Sequence, residues 1–228
     1  MKDLRAIQHK VLVLIPAYNE EKNLPNVLKK LQDAGWNVYV VDDGSKDRTH
    51  EILRNWNIAH HKAQANIGKG AALRHGFDWF LKQGHEICVV MDADGQHQAE
   101  EIVYFVEAIE TGGADVVLGN RMTNPVGMPL VRVWTNRFMS ALISILAGTR
   151  IHDTQCGFRA YHRRAVEKIR FESNRFEAES EILFSAASQR LKIHSVAVSS
   201  VYRDETSSIH PVRDTVRFFR FLIKYFLR

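Results

Sequence analysis

The chain has 228 residues, of which 45% are hydrophobic and 25% charged, with a formal net charge of +5. That length holds one large domain with a sizeable core, and the composition excludes a disordered or collagen-like chain. Two cysteines, Cys88 and Cys156, make no disulfide framework, as expected of a reduced, cytoplasmic protein.

The positive balance favours anionic partners: nucleotides, phospholipid surfaces or nucleic acid. The chain has no zinc-finger spacing and no aromatic–basic RNA signature, so nucleic acid is not expected among them. Residues 1–10 carry charges throughout instead of the apolar core of a signal peptide. The longest nearly apolar stretch, residues 138–147, is about half of the ~20 residues that a spanning helix needs. Neither export nor a membrane span is expected.

In chain order, residues 11–15 are an unbroken apolar run, as in a strand buried on both faces, and Pro16 ends it. Leu24, Val27, Leu28 and Leu31 then recur at helical spacing until Gly35. Residues 38–41 read as a second strand, followed by a polar turn and a helix ending near Trp56. A helix over residues 70–82 places Leu73, Phe77, Phe80 and Leu81 on one side, and Gly84 stops it. Residues 87–91 are a third strand. The helix after it buries Ile102, Phe105, Val106 and Ile109 and ends at Gly112-Gly113. Residues 116–118 form a further strand. Beyond it, residues 130–146 and 176–191 read as helices, 158–161 as extended, 193–201 as a strand, and 212–228 as a basic amphipathic helix. Strands alternating with amphipathic helices predict a single α/β domain over residues 1–228, with a mostly parallel central sheet and helices on both faces.

Polar clusters fall where these strands end, which is where an open α/β sheet binds its ligands. Asp92-Ala93-Asp94 puts two carboxylates one residue apart at the exit of a buried strand. They can share Mg²⁺ or Mn²⁺ through hard oxygen ligands, with Gln96 and His97 as further candidates. An Asp-rich turn explains the same residues without a metal. Asp42-Asp43-Gly44-Ser45 either caps the next helix or uses one aspartate to bond the base or ribose of a nucleotide. The loop Asn66-Ile67-Gly68-Lys69-Gly70 resembles a phosphate cradle without the full P-loop spacing, and Lys69 is either solvated or on a phosphate. Arg121, Arg132 and Arg137 cluster after the strand at 116–118. Arginine forks match phosphate oxygens, whereas a solvated helix surface also accounts for them, least well for Arg121 at the strand exit.

Taken in order, Ile15-Pro16-Ala17-Tyr18-Asn19-Glu20, Val41-Asp42-Asp43-Gly44-Ser45, the 66–70 loop and Asp92-Ala93-Asp94 resemble glycosyltransferase family 2. Gly119-Asn120-Arg121 and Asp153-Thr154-Gln155-Cys156-Gly157-Phe158-Arg159 resemble its polyprenyl-phosphate (dolichol-phosphate) mannose and glucose synthases. The resemblance runs over residues 11–217. It implies a GT-A fold and inverting transfer from a nucleotide-diphosphate sugar donor to a polyprenyl phosphate acceptor at the cytoplasmic membrane face. By this resemblance Pro16, Tyr18, Glu20 and Asp43 line the nucleotide pocket. Asp92 and Asp94 hold the cation, with Gln96 as a further ligand. Arg121 and Arg132 hold the acceptor phosphate, and Arg203 closes over the site. Asp153 and Glu181 match acidic positions of the acceptor half. The late loop departs from the pattern, with Ser207-Ser208-Ile209 where members often carry a lysine just after the serine.

A lipid phosphate is already anionic near neutral pH and needs no strong base. A sugar hydroxyl of a glycan or glycolipid needs a carboxylate to take its proton, for which Asp153 or Glu181 is the candidate. The reading from another class is a catalytically silent nucleotide-sugar binding module. In the 212–228 segment, Val212, Val216, Phe219, Ile223 and Phe226 follow helical spacing among Arg213, Arg217, Arg220, Lys224 and Arg228. This helix is expected either to lie in a membrane interface, with or without a membrane-spanning partner, or to pack on the domain or a second subunit.

Overall fold

The computed structural model describes residues 7–199, 218, 220–223 and 225. Its strands are β1 (Val11–Ala17), β2 (Asn37–Asp42), β3 (Ala59–Lys62), β4 (Ile87–Val90), β5 (Val116–Asn120), β6 (Arg159–His162) and β7 (Ile193–Ala197). They form one sheet in the order β3-β2-β1-β4-β6-β5-β7. The helices are α1 (Leu24–Asp33), α2 (Thr49–Asn55), α3 (Lys69–Leu81), α4 (Ile102–Glu110), α5 (Leu130–Ala147), α6 (Arg163–Lys168) and α7 (Glu177–Ser188).

The unbroken apolar run of β1 is explained by its central place. Val11, Val13 and Ile15 join the apolar layer of α1 and α4, while Leu12 and Leu14 join the layer of α3 and α7 on the other face. A strand covered on both sides has no solvent face to mark with polar residues. Pro16 lacks an amide donor, and it falls where pairing with β4 has already ended at Leu14. Gly76 lets α3 lie close on β1, since a Cβ there would stand 2.4 Å from the Leu14 side chain.

β1 runs parallel to β2 and β4, and β2 parallel to β3. β6 is antiparallel to both its neighbours, β4 and β5, and β7 is parallel to β5. Hence β5 points the same way as β4, and the carboxyl ends of β1, β2, β4 and β5 share one end of the sheet. The residues that lead into β6 start from that same end.

Two elements escape the periodicity reading. β3 is a four-residue edge strand of sequence Ala-His-His-Lys with no apolar face, and α6 has only six residues. Of the strand expected over 193–201, Ile193–Ala197 is formed, Val198 and Ser199 follow it outside the strand, and residues 200–201 lie outside the described residues. Of the helix expected at 212–228, the described residues Phe218, Phe221, Leu222 and Tyr225 join the apolar layer of α3 and α7. Phe184 of α7 lies 5.2 Å from the Tyr225 ring and 6.4 Å from that of Phe221. Ile223, from the row expected to form the helix's apolar face, is exposed, and the rest of that row lies outside the described residues. Among the described residues no helix is long and apolar enough to cross a membrane.

Candidate active site

The loops leaving β1 and β2 are stitched together. The Asn19 amide donates to Ser45 Oγ (2.9 Å), the Lys46 amide donates to Asn19 Oδ1 (2.9 Å), and the Glu20 amide donates to Thr49 Oγ1 (2.8 Å). Asn19 takes a left-handed φ of 57°, a conformation that asparagine tolerates better than most residues. The turn leaves Pro16 and Glu20 partly exposed and Tyr18 exposed.

The adjacent aspartates divide the work. Asp42 is fully buried and accepts from the Ser45 amide at 2.8 Å, which makes the turn. Asp43 reaches across instead: its two oxygens accept from the amides of Ile67 (3.0 Å) and Gly68 (2.7 Å). It thereby holds the glycine loop against the β2 exit. Gly44 (φ 73°) permits this approach, since a Cβ would stand 2.5 Å from the Ala65 carbonyl carbon. The role of helix start falls to Asp47, whose Oδ1 accepts from the Thr49 amide at 3.0 Å.

At the β4 exit Asp92 begins a chain of charged contacts that runs through Lys69 to Glu179 and Arg159. Its Oδ1 lies 2.5 Å from Lys69 Nζ, and Lys69 is also 2.7 Å from Glu179 Oε1 on α7. Glu179 in turn pairs with Arg159 at 3.3 Å. Burial alone would push the Asp92 carboxyl up, but Lys69 and then His97 outweigh it and hold Asp92 well below the usual carboxylate range. His97 is buried against the Phe158 ring, 3.8 Å from Asp92 Oδ2, and is not the polar surface residue that a lone histidine suggests. Asp94 and Gln96 are partly exposed beside it, and Asp94 Oδ1 accepts from the Gln96 amide at 2.9 Å.

Gly157 makes this packing possible, because a Cβ there would stand 2.1 Å from Asp92 Oδ2 and 2.9 Å from Lys69 Nζ. Gly157→Ala is therefore expected to displace the Asp92 carboxylate, at a stability cost of about 1–3 kcal/mol for overpacking. Thermal unfolding and Mn²⁺ titration by calorimetry check this. An unchanged midpoint together with unchanged metal affinity would show that the contact does not matter.

At the β5 exit, Arg121 grips Asp153 with Nε (2.8 Å) and a terminal guanidinium nitrogen (3.1 Å), and its own amide donates to the same carboxylate at 3.1 Å. Asn136 Nδ2 of α5 donates to Asp153 Oδ1 at 2.7 Å. Asp153 is fully buried. Burial would raise its pKa, but hydrogen bonds and charge from Arg121, then Asn136, bring it below the usual range. Glu181 is likewise buried, its Oε2 accepting from the amides of Glu172 (3.1 Å) and Ser173 (2.8 Å).

A general base must face the acceptor with a free lone pair and some affinity for a proton. Asp153 is buried and accepts from Arg121 and Asn136, and Glu181 is buried with its Oε2 accepting from two backbone amides. Arg132 is exposed on α5, one helical turn before Asn136, and Arg137 is exposed on the same helix. Arg203 lies outside the described residues.

The reading of residues in isolation missed Glu179 and the buried Arg159. Arg159 donates to the carbonyls of Cys156 (2.9 Å), Thr154 (2.8 Å) and Glu179 (3.0 Å), fastening the 154–156 loop to α7. Its only signal was its place in the Asp153–Arg159 stretch.

Asp92, Asp94 and Gln96 offer hard oxygen donors at one strand end, beside the fixed charge of Lys69. Among the described residues no group of three His, Cys, Asp or Glu could cage a metal alone. Mg²⁺ suits such a set, since it commonly binds one or two carboxylates plus substrate phosphates. The donor set fits a cation shared with a diphosphate.

Residues 12–170 match the family described as "Glycosyl transferase family 2". The chain belongs to that family. This glycosyltransferase is 31% identical over 217 residues to the UDP-N-acetylglucosamine–dolichyl-phosphate N-acetylglucosaminyltransferase of Methanococcus voltae, covering 85% of this chain and 86% of that one. It is 32% identical over 210 residues to the undecaprenyl-phosphate mannosyltransferase of Micrococcus luteus, covering 86% and 85%. The glucosyl-3-phosphoglycerate synthase of Mycobacterium tuberculosis, solved with Mn²⁺, UDP and phosphoglyceric acid, matches with a TM-score of 0.72 at 19% identity, over 96% of this chain and 78% of that one. The same synthase is also solved with Mg²⁺ and UDP. The fold of this glycosyltransferase is thus GT-A, and its family is one of enzymes, which removes the silent binding module as a reading.

Proposed function

We propose that this glycosyltransferase moves a sugar from a nucleotide-diphosphate donor to a polyprenyl phosphate, with inversion, at the cytoplasmic face of a membrane. The observation that carries this reading is the Arg121–Asp153 pair at the same sheet end as Asp92 and Asp94. An arginine there suits an anionic acceptor, and the hydrogen bonds that Asp153 and Glu181 already accept favour an acceptor that needs no base. The named activities of the Methanococcus and Micrococcus relatives support the same acceptor class.

In this reading Pro16, Tyr18 and Glu20 line the nucleotide pocket, and Asp43 shapes it through the glycine loop. Asp92, Asp94 and Gln96 hold Mg²⁺ or Mn²⁺, as the metal-bound complexes of the Mycobacterium synthase support. When bound, the cation supplies charge that steadies the departing diphosphate. Arg121, oriented by Asp153 and Asn136, holds the acceptor phosphate with Arg132. An oxygen of that phosphate attacks the anomeric carbon from the side opposite the diphosphate. The new carbon–oxygen bond forms as the old one breaks, and the nucleoside diphosphate leaves with the bonding electrons. No proton has to move, so catalysis consists of positioning and charge stabilisation.

The deciding experiment offers a panel of nucleotide sugars with a detergent-solubilised polyprenyl phosphate and Mn²⁺, with products resolved by mass. A polyprenyl-phosphate sugar is the expected product. Transfer to a sugar hydroxyl with none to the phosphate would overturn the acceptor assignment.

A further inference from the structure

Asp92, Lys69, Glu179 and Arg159 form a row of alternating charge. Lys69 Nζ lies 2.5 Å from Asp92 Oδ1 and 2.7 Å from Glu179 Oε1, and Glu179 Oε2 accepts from the Arg159 guanidinium at 3.3 Å. The Lys69 and Glu179 side chains are only 16% and 14% exposed, and that of Arg159 only 2%. Burial alone would favour loss of the Lys69 proton, but Asp92 and then Glu179 outweigh it and raise its pKa above the ordinary lysine value. Two negative and two positive groups balance, so the row is neutral before any ligand arrives.

That balance conflicts with a cation on Asp92. Asp92 Oδ2 is packed against Gly157 and lies 3.8 Å from His97, while Oδ1 carries the ammonium of Lys69. For a divalent cation to bind there, Lys69 has to give up Asp92, because like charges repel strongly where water screens them little. An ammonium so enclosed then needs another carboxylate to hold it. Glu179 already stands on its other side. Arg159 depends less on that carboxylate. Its guanidinium donates to the carbonyls of Cys156 (2.9 Å), Thr154 (2.8 Å) and Glu179 (3.0 Å), each closer than its contact with the Glu179 side chain.

We propose that Glu179 is a positioning residue of the donor site, which keeps Lys69 when the cation takes Asp92. This rests on the reading of Asp92 as a metal ligand. The exchange needs no large movement, because Lys69 touches both carboxylates already. It also fixes the sign of two effects. Without the Glu179 charge, Lys69 stays on Asp92 and competes with the metal. The lost negative charge meanwhile favours an anionic diphosphate when no metal is present.

Calorimetric titration with UDP and with GDP, each with Mn²⁺ and with chelator, reads both effects in Glu179→Gln. Affinity with Mn²⁺ should fall about tenfold or more, the scale of one hydrogen bond between charged groups, whereas affinity in chelator should hold or rise. A thermal unfolding transition near that of the wild type shows that the variant folds. In a Lys69→Met background the same substitution should change Mn²⁺-dependent affinity much less, since no ammonium then competes for Asp92. Glu179→Asp keeps the charge and should recover part of the loss. Equal weakening with and without metal would make Glu179 a merely structural part, and unchanged Mn²⁺ dependence in Glu179→Gln would remove it from the site. Either result overturns the proposal, as does a crystal complex with Mn²⁺ and UDP in which Lys69 still bonds Asp92 Oδ1. Asp92→Asn with undiminished Mn²⁺ dependence, or a wild type with none, would instead sink the reading of Asp92 as a ligand, and the proposal with it.

Discussion

Asp94→Asn is expected to lower sugar transfer by about 10²–10³-fold, the usual loss when one charge-stabilising group is removed from a preorganised site. The substitution is conservative for the fold. Asp94 Oδ1 accepts from the Gln96 amide, and an asparagine carbonyl can keep that bond while the charge is lost. Asp92 cannot make up the loss, because its Oδ1 is already engaged by Lys69. Nucleotide affinity measured by calorimetry should fall in the presence of Mn²⁺ and change little in its absence. Wild-type activity in the variant, or full wild-type activity in excess chelator, would remove the cation from the mechanism.

Arg121→Ala should have the largest effect on stability. It takes the main cation from a fully buried carboxylate, and breaking such a pair costs about 3–5 kcal/mol because the remaining charge has no solvent to turn to. Denaturant unfolding at neutral pH measures this directly. In the wild type, Asp153 is held below its ordinary pKa, so the pair contributes its full stability above about pH 4 and loses it as pH falls toward the depressed value. The variant should show a much smaller acid-side loss, since burial then opposes the charged form. For function, acceptor KM should rise far more than donor affinity falls. Equal weakening of nucleotide binding would assign this arginine to the donor. Arg121→Lys keeps the charge but not the two-pronged grip, so partial rescue of stability without recovery of acceptor KM would separate charge from geometry.

The order of amino acids alone determined most of the frame. The apolar run into Pro16, the helical spacing of Leu24 to Leu31, and the stop at Gly112-Gly113 are local signals, and each marks an element that the structure contains. Asp92 and Asp94 were legible for the same reason, as neighbours at one strand exit. β3 and α6 were not, because a polar edge strand and a six-residue helix are too short to show a period.

What only the tertiary structure decided is the company these residues keep. Insertion of the antiparallel β6 between β4 and β5 sets Gly157 against Asp92 and carries the Asp153 loop to Arg121. Lys69, Glu179 and Arg159 converge from three separate segments, and strand order is encoded in no local period. The same holds for α5. Its sequence is apolar nearly all round, so spacing could not tell which side meets the core. Hydrogen bonds between Asn136, Ser140 and Ser144 and the 151–154 loop fix the helix's rotation, and that rotation leaves Trp134 and Phe138 outside.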